Sequence, residues 1–182
     1  MSVILITGAS SGIGFQAAQT LAQRGYTVYG VARRVDKLAK LQAFGVVPLA
    51  LDVTDDDSMQ QAVATILKAS GRIDVLINNA GYGSYGAVED VSIEEARRQF
   101  EVNLFGMARL TQLVLPTMRA QRSGRIINTS SMGGRLVSYM GAWYHATKYA
   151  VEAFSDALRM ETAAFGIQVA LLEPGGLKTA WG

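Results

Sequence analysis

Tyr144 and Lys148 stand four residues apart in the run Tyr-His-Ala-Thr-Lys, and a glycine-rich stretch, Thr7-Gly8-Ala9-Ser10-Ser11-Gly12-Ile13-Gly14, opens the chain. On a helix, residues i and i+4 project from one face, about one turn apart. An ammonium held there favours the charged phenolate, so the spacing predicts a tyrosine pKa below its reference of about 10. Such a phenol can give and take a proton near neutral pH. Paired with a dinucleotide-type turn at the N-terminus, it points to hydride transfer at a carbonyl or alcohol carbon. The tyrosine–lysine spacing alone is common and carries nothing.

Gly8, Gly12 and Gly14 follow a GxxxGxG spacing, not the GxGxxG of the usual Rossmann fingerprint. The physics carries over: glycines let the backbone approach a pyrophosphate, and a helix N-terminus offers N–H donors and a positive dipole end. Gly8, Ser10, Ser11, Gly12, Ile13 and Gly14 are therefore candidate phosphate contacts. The plainer reading is a tight βα turn that needs positive φ. No Gly-Lys-Ser/Thr follows, which excludes a P-loop.

Arg33 and Arg34 come after the second apolar run, where NAD-binding Rossmann proteins carry an acid for the adenosine 2′-hydroxyl. No acid precedes Asp36, so a 2′-phosphate is the better partner, and NADP(H) is expected over NAD(H). A solvated pair at a helix start is the alternative. Asp52, with Val53 beside it, either sits by the adenine or merely ends a strand.

Asn103 lies on the stripe Ala96, Phe100, Asn103, Met107, Leu110, Val114, whose spacing marks a buried helix face. A buried amide needs partners, so a structural polar plug is its plain reading. Ser131 ends a strand thirteen residues before Tyr144, with Ser130 beside it, and either could hydrogen-bond a substrate oxygen. There is no GxSxG elbow for acyl transfer, and His145 is expected in packing or solvent, not as a base. Ala146, Ala150, Ala153 and Ala157 form a stripe suited to a subunit contact or to lying on a sheet.

These groups need elements to position them. Short apolar, β-branched runs at 3–6, 27–31, 46–51, 75–78, 125–129 and 168–172 read as parallel strands buried on both faces. Helical patterns lie between them, near 12–24, 35–43, 55–69, 92–120 and 142–165. Ser92-Ile93-Glu94-Glu95 fits a capping box, and Thr54 followed by three aspartates puts acid at a helix start. Strict β-α alternation predicts an α/β fold with a doubly wound, mostly parallel sheet and right-handed crossovers. In such a sheet ligands collect outside the carboxyl ends of the strands. The unusual residues fall at those ends, from Gly8–Gly14 to Pro174-Gly175.

With 182 residues and no composition break, 1–182 reads as a single dinucleotide-binding domain. A net charge of +2 is too small to argue for nucleic acid or an anionic membrane surface. No cysteine and one histidine exclude disulfides, thiolate catalysis and cysteine- or histidine-rich metal sites, so no metal is expected. No signal peptide is visible, and no apolar run reaches the roughly 18 residues of a membrane span. The expected location is cytoplasmic.

In order, Thr7–Gly14, Asn78-Asn79-Ala80-Gly81, Asn103, the strand-five serine, Tyr144 to Lys148 and Pro174 to Thr179 make the chain resemble the short-chain dehydrogenases/reductases. The stretches 78–86 and 144–154 look most like bacterial relatives of 17β-hydroxysteroid and retinol dehydrogenases. The resemblance implies that Tyr144 is the acid in carbonyl reduction and the base in alcohol oxidation. Lys148 would lower its pKa and hold the nicotinamide ribose hydroxyls. Ser131 would orient the substrate oxygen, and Asn103 would hold a water linking Lys148 to solvent. Asn79, Ala80 and Gly81 would line the adenosine side; Pro174, Gly175 and Thr179 would sit by the nicotinamide amide. A homo-oligomer, a dimer or tetramer through 92–120 and 142–165, is implied too. Family members usually run longer, so a seventh strand and a substrate lid are expected beyond this chain.

The expected activity is an NADP(H)-dependent interconversion of a carbonyl and an alcohol. Leu136, Val137, Met140 and Trp143, with Tyr82 and Tyr85 opposite, are expected to face a small hydrophobic substrate. A non-catalytic dinucleotide sensor or scaffold on the same fold is the rival from another class. The intact Asn-Ser-Tyr-Lys set argues against it, since a sensor needs no tuned phenol. A dehydratase or epimerase is a weaker rival among enzymes.

Overall fold

The computed structural model describes residues 1–176. Its centre is β1 (Val3–Thr7), buried along its whole length. Successive side chains of a strand point to opposite faces, and here each face has its own core. Val3 and Leu5 join one cluster with Val31, Ile66, Leu76, Leu110 and Ile126. Ile4 and Ile6 join the other, with Ala18, Val28, Leu38 and Leu41. Each fully buried Leu or Ile contributes about 1.5–3 kcal/mol relative to exposure.

Around β1 stand β2 (Thr27–Ala32), β3 (Val47–Ala50), β4 (Val75–Asn78), β5 (Gly124–Thr129) and β6 (Ile167–Leu172). The sheet order is β3-β2-β1-β4-β5-β6, and every neighbouring pair is parallel. The chain runs outward from β1 to β3 and then returns to β4 on the other side. That reversal opens a crevice at the carboxyl ends of β1 and β4. Pro48, which has no N–H to give a ladder, is placed on the edge strand β3.

The helices are α1 (Gly12–Gln23), α2 (Ala39–Gln42), α3 (Asp56–Ser70), α4 (Ile93–Phe100), α5 (Gly106–Gln121) and α6 (Ala142–Thr162). Asp55 caps α3 by accepting the Ser58 amide, and Ser92 caps α4 by accepting that of Glu95. The expected capping box is only half made, because Glu95 Oε1 instead accepts the Tyr82 hydroxyl at 2.9 Å.

Three helices differ from expectation. The pattern at 35–43 is a 3₁₀ turn, Val35–Leu38, followed by the single turn α2. The helix read over 142–165 ends at Thr162 and closes with a 3₁₀ turn. The helix read over 92–120 is interrupted by a π segment, Glu101–Phe105, between α4 and α5. One extra residue in a turn shifts the buried face, so Gln99, not Phe100, is fully buried ahead of Asn103. On α6 the sheet side is Tyr144, Lys148, Val151, Ser155 and Leu158. The alanine stripe therefore does not lie on the sheet. No helix among the described residues is long and apolar enough to cross a membrane.

Candidate active site

A cleft of about 1220 Å³ runs along the carboxyl ends of the strands, from Arg33 and Asp52 at one end to Ser131, Tyr144 and Lys148 at the other. Gly8 leaves β1 with φ of +66°, and its carbonyl lies against Gly14. A Cβ on Gly14 would fall 2.5 Å from the Gly8 oxygen and 2.5 Å from Asn79 Nδ2. Gly14 is thus the packing glycine behind the turn, while Gly8, Ser10, Ser11, Gly12 and Ile13 line the cleft. Ser11, the N-cap of α1, makes no side-chain cap bond. The first amides of that helix therefore face the cleft without the side-chain acceptor that Asp55 and Ser92 supply elsewhere.

The floor of the turn is held by Thr7, whose Oγ1 accepts the Asn79 and Ala80 amides, each at 2.9 Å. Asn79 Nδ2 returns a bond to the Thr7 carbonyl. This stitch between β1 and the β4 end uses a residue that glycine spacing does not reveal. Asp52 Oδ1 accepts both the amide and hydroxyl of Thr54. Arg33 lines the cleft, with Val53, Asn79, Ala80 and Gly81; Arg34 is not in its lining. Pro174 and Gly175 line the other end, and Thr179 lies outside the described residues.

At that same end, Tyr144 faces Ser131, whose hydroxyl favours the phenolate. Ser131 Oγ accepts the Gly133 amide at 3.0 Å, which fixes its direction. Ser130, by contrast, is buried, with no partner for its hydroxyl among the described residues. Ser131 is therefore the serine that meets the tyrosine. Lys148 Nζ donates to the Thr129 carbonyl at 2.9 Å and lies 5.8 Å from the Tyr144 ring centroid.

The phenol departs from the sequence-based expectation. Burial raises the Tyr144 pKa, and the Ser131 hydroxyl only partly opposes it. Burial thus outweighs what the four-residue spacing led one to expect, a phenol of low pKa. Burial likewise pulls Lys148 down to about 8, against the charge of Glu152, which favours the ammonium. Near neutral pH this favours a neutral phenol beside an ammonium.

Asn103 is buried and fully partnered, as its plain reading predicts. Its Nδ2 donates to the Tyr82 carbonyl and to Thr147 Oγ1, and its Oδ1 accepts the Tyr82 amide. The amide clamps the backbone that follows Gly81 instead of lining the cleft. Thr147, one residue before the lysine, was not singled out by any spacing; only a buried partner for the amide could have suggested it.

Of the residues expected to face substrate, Leu136, Val137, Tyr82 and Tyr85 line the cleft. Trp143 does not. It precedes Tyr144 by about 100° of helix, so with Tyr144 facing the cleft it turns to a separate groove of about 260 Å³ with Ile93, Phe100 and Phe105. Met140 also stands outside the lining, its carbonyl accepting the Gly86 amide at 2.9 Å. His145 is buried, with Nε2 accepting the Ser138 amide at 2.9 Å. Nδ1 must then carry the proton and donate to the Gly133 carbonyl at 2.9 Å. The imidazole pins the loop over the cleft, a packing role as expected.

The sheet is of Rossmann type, with a serine, a tyrosine and a lysine together at one end of its crevice. The family model described as short chain dehydrogenase matches residues 2–182, and the chain belongs to that family. It is 45% identical over 181 residues to the 3-ketodihydrosphingosine reductase of Bacteroides thetaiotaomicron, covering 98% of this chain and 65% of that one. The crystal structure of a short-chain dehydrogenase from Streptomyces avermitilis superposes with a TM-score of 0.95 at 43% identity, covering 99% of this chain and 68% of that one. An alcohol dehydrogenase from Thermococcus sibiricus, complexed with 5-hydroxy-NADP, superposes with a TM-score of 0.93 at 33% identity, covering 100% and 79%. The chain spans 65–66% of the length of three curated relatives that it matches.

Proposed function

We propose that the protein is an NADP(H)-dependent oxidoreductase that interconverts a ketone or aldehyde and an alcohol. The observation that carries this reading is the meeting of Ser131, Tyr144 and Lys148 at the end of a cleft that begins at a glycine turn. The dinucleotide fits the residues present: uncapped α1 amides for its phosphates, Arg33 for a 2′-phosphate, and Asn79, Ala80 and Gly81 along the adenosine side. When bound, it supplies or accepts the hydride.

The chain's own residues handle the rest. Ser131 donates to the substrate oxygen and orients it. Tyr144, neutral near pH 7, gives its phenolic proton to that oxygen in reduction and takes one back in oxidation. Lys148 stabilises the phenolate left behind by its charge. Asn103 keeps the turn at Gly81 and Tyr82 in place. Leu136 and Val137, 65% and 75% exposed at the mouth, favour a hydrophobic substrate. The reductase from Bacteroides, named for a keto substrate, supports the same reaction type. Helices α4 to α6 are the proposed subunit contact, which light scattering would test.

Calorimetric titration with NADPH and NADH tests the cofactor. NADPH is expected to bind at least tenfold tighter, about 1.4 kcal/mol, and equal affinities would overturn the assignment to NADP(H). Tyr144→Phe is expected to lower turnover about 10²–10⁴-fold with a carbonyl panel while NADPH binding survives. Full turnover by that variant would remove the mechanism.

A further inference from the structure

Under the tyrosine–lysine pair, α6 carries a third ionisable group that the reaction above does not use. Glu152 lies four residues past Lys148 and eight past Tyr144, so the three stack along one face of the helix. Only 5% of Glu152 is exposed, and a carboxylate is rarely buried so far without paired charge. Its position is tight. A Cβ on Gly134 would fall 3.0 Å from Glu152 Oε1 and 2.5 Å from Ser130 Oγ. Glu152 thus packs beneath the 3₁₀ turn Met132–Gly134 that follows Ser131.

One cation touches this carboxylate and a second feels its charge from farther off. Arg135 Nη2 comes within 2.9 Å of Oε2, yet neither oxygen has a hydrogen-bond donor among the described residues. The contact is ionic and poorly aligned, and the same guanidinium donates through Nε and Nη2 to Glu173 Oε1. The second cation is Lys148, buried, with a single protein acceptor, the Thr129 carbonyl. An ammonium in that position needs a counter-charge, and Glu152 is the one acid on its face of α6 close enough to favour it.

We propose that Glu152 is a positioning residue for turnover: it acts through Lys148, holding it as an ammonium beneath Tyr144, and divides its charge between Lys148 and Arg135. The effect on turnover rests on the oxidoreductase reading, whereas the charge coupling does not. The other groups around this cluster are Tyr144, Tyr149 and Asp156 on α6, Glu173 after β6, and Tyr85 across the cleft.

The test is an NMR titration of the Lys148 side chain in the intact protein without ligand, assigned with Lys148→Arg. Glu152→Gln is expected to lower its midpoint by about one pH unit or more, a tenfold change in the protonation equilibrium. Arg135→Gln is expected to raise it, because the carboxylate then faces the lysine alone. Arg135 is largely exposed, so this variant reports even where Glu152→Gln folds poorly. The alkaline limb of the kcat profile should shift in the same two directions, with Glu152→Asp restoring most of it. Unmoved midpoints in both variants, or shifts of the same sign, overturn the proposal. Opposite shifts in a protein that reduces no carbonyl support the coupling and overturn the function instead.

Discussion

The turn after β1 and the first three turns of α6 face each other across one cleft. The turn presents backbone: Gly8 at positive φ, Gly14 packed on its carbonyl, and amides at an uncapped helix start. Helix α6 presents side chains held by burial: a phenol raised in pKa, an ammonium lowered to about 8, and a carboxylate below them. The first region fails through shape and the second through charge. Perturbing the turn should therefore cost stability and affinity at every pH. Perturbing α6 should give effects that depend on pH.

The largest expected loss comes from Gly14→Ala. The added Cβ meets a backbone oxygen and the Asn79 amide at 2.5 Å, and backbone cannot rotate away as a side-chain tip can. A cost of about 3 kcal/mol in unfolding free energy is expected, in line with overpacked sites. NADPH affinity should fall at least tenfold, equally at pH 6 and pH 9. A pH-dependent loss would mean that the turn is coupled to α6 charge, and the contrast would break.

The same contrast decides what was legible in the sequence. Gly8, Gly12 and Gly14 announce a backbone site because few other residues tolerate such geometry, and the parallel sheet follows from β-α alternation. Ser131, Tyr144 and Lys148 were legible as types and spacing. Their electrostatics were not, because the direction in which Lys148 Nζ points depends on a carbonyl nineteen residues away. Glu152 and Arg135 carried no motif, and only packing brings them together. The π segment at 101–105 escaped because one inserted residue scarcely disturbs a 3–4 pattern, yet it carries Asn103, whose amide clamps Tyr82. Trp143 leaves the cleft for a simpler reason: adjacency in sequence to Tyr144 is about a third of a turn on a helix.

A smaller effect, of opposite sign, is expected from Lys148→Met. Burial lowers the lysine pKa from 10.5 to about 8 on folding. Between about 8 and 10.5 the unfolded chain therefore binds more protons, and wild-type stability rises with pH across that window. Below it the buried ammonium costs the full amount, about 3 kcal/mol from the shift alone. The lost bond to Thr129 and the weaker pairing of Glu152 offset part of this. Lys148→Met is expected to be about 1 kcal/mol more stable than wild type in urea unfolding at pH 7, and the gain should shrink by pH 9.5. A variant less stable at pH 7 would show that the ammonium stabilises the fold.

The smallest expected effect tests whether the α1 amides are free. Asp55 caps α3 through the Ser58 amide at 3.2 Å, so Asp55→Ala should cost about 1 kcal/mol, the usual loss for an N-cap. Ser11 occupies the same position on α1 but makes no such bond. Ser11→Ala should therefore change stability by no more than about 0.3 kcal/mol, well below that usual loss. Both substitutions can be read in one set of urea curves. Equal costs would mean that Ser11 caps α1 in solution, and its hydroxyl would then compete with any phosphate for those amides. A near-zero cost for Ser11 beside a full cost for Asp55 leaves the α1 amides available, which is what a backbone site requires.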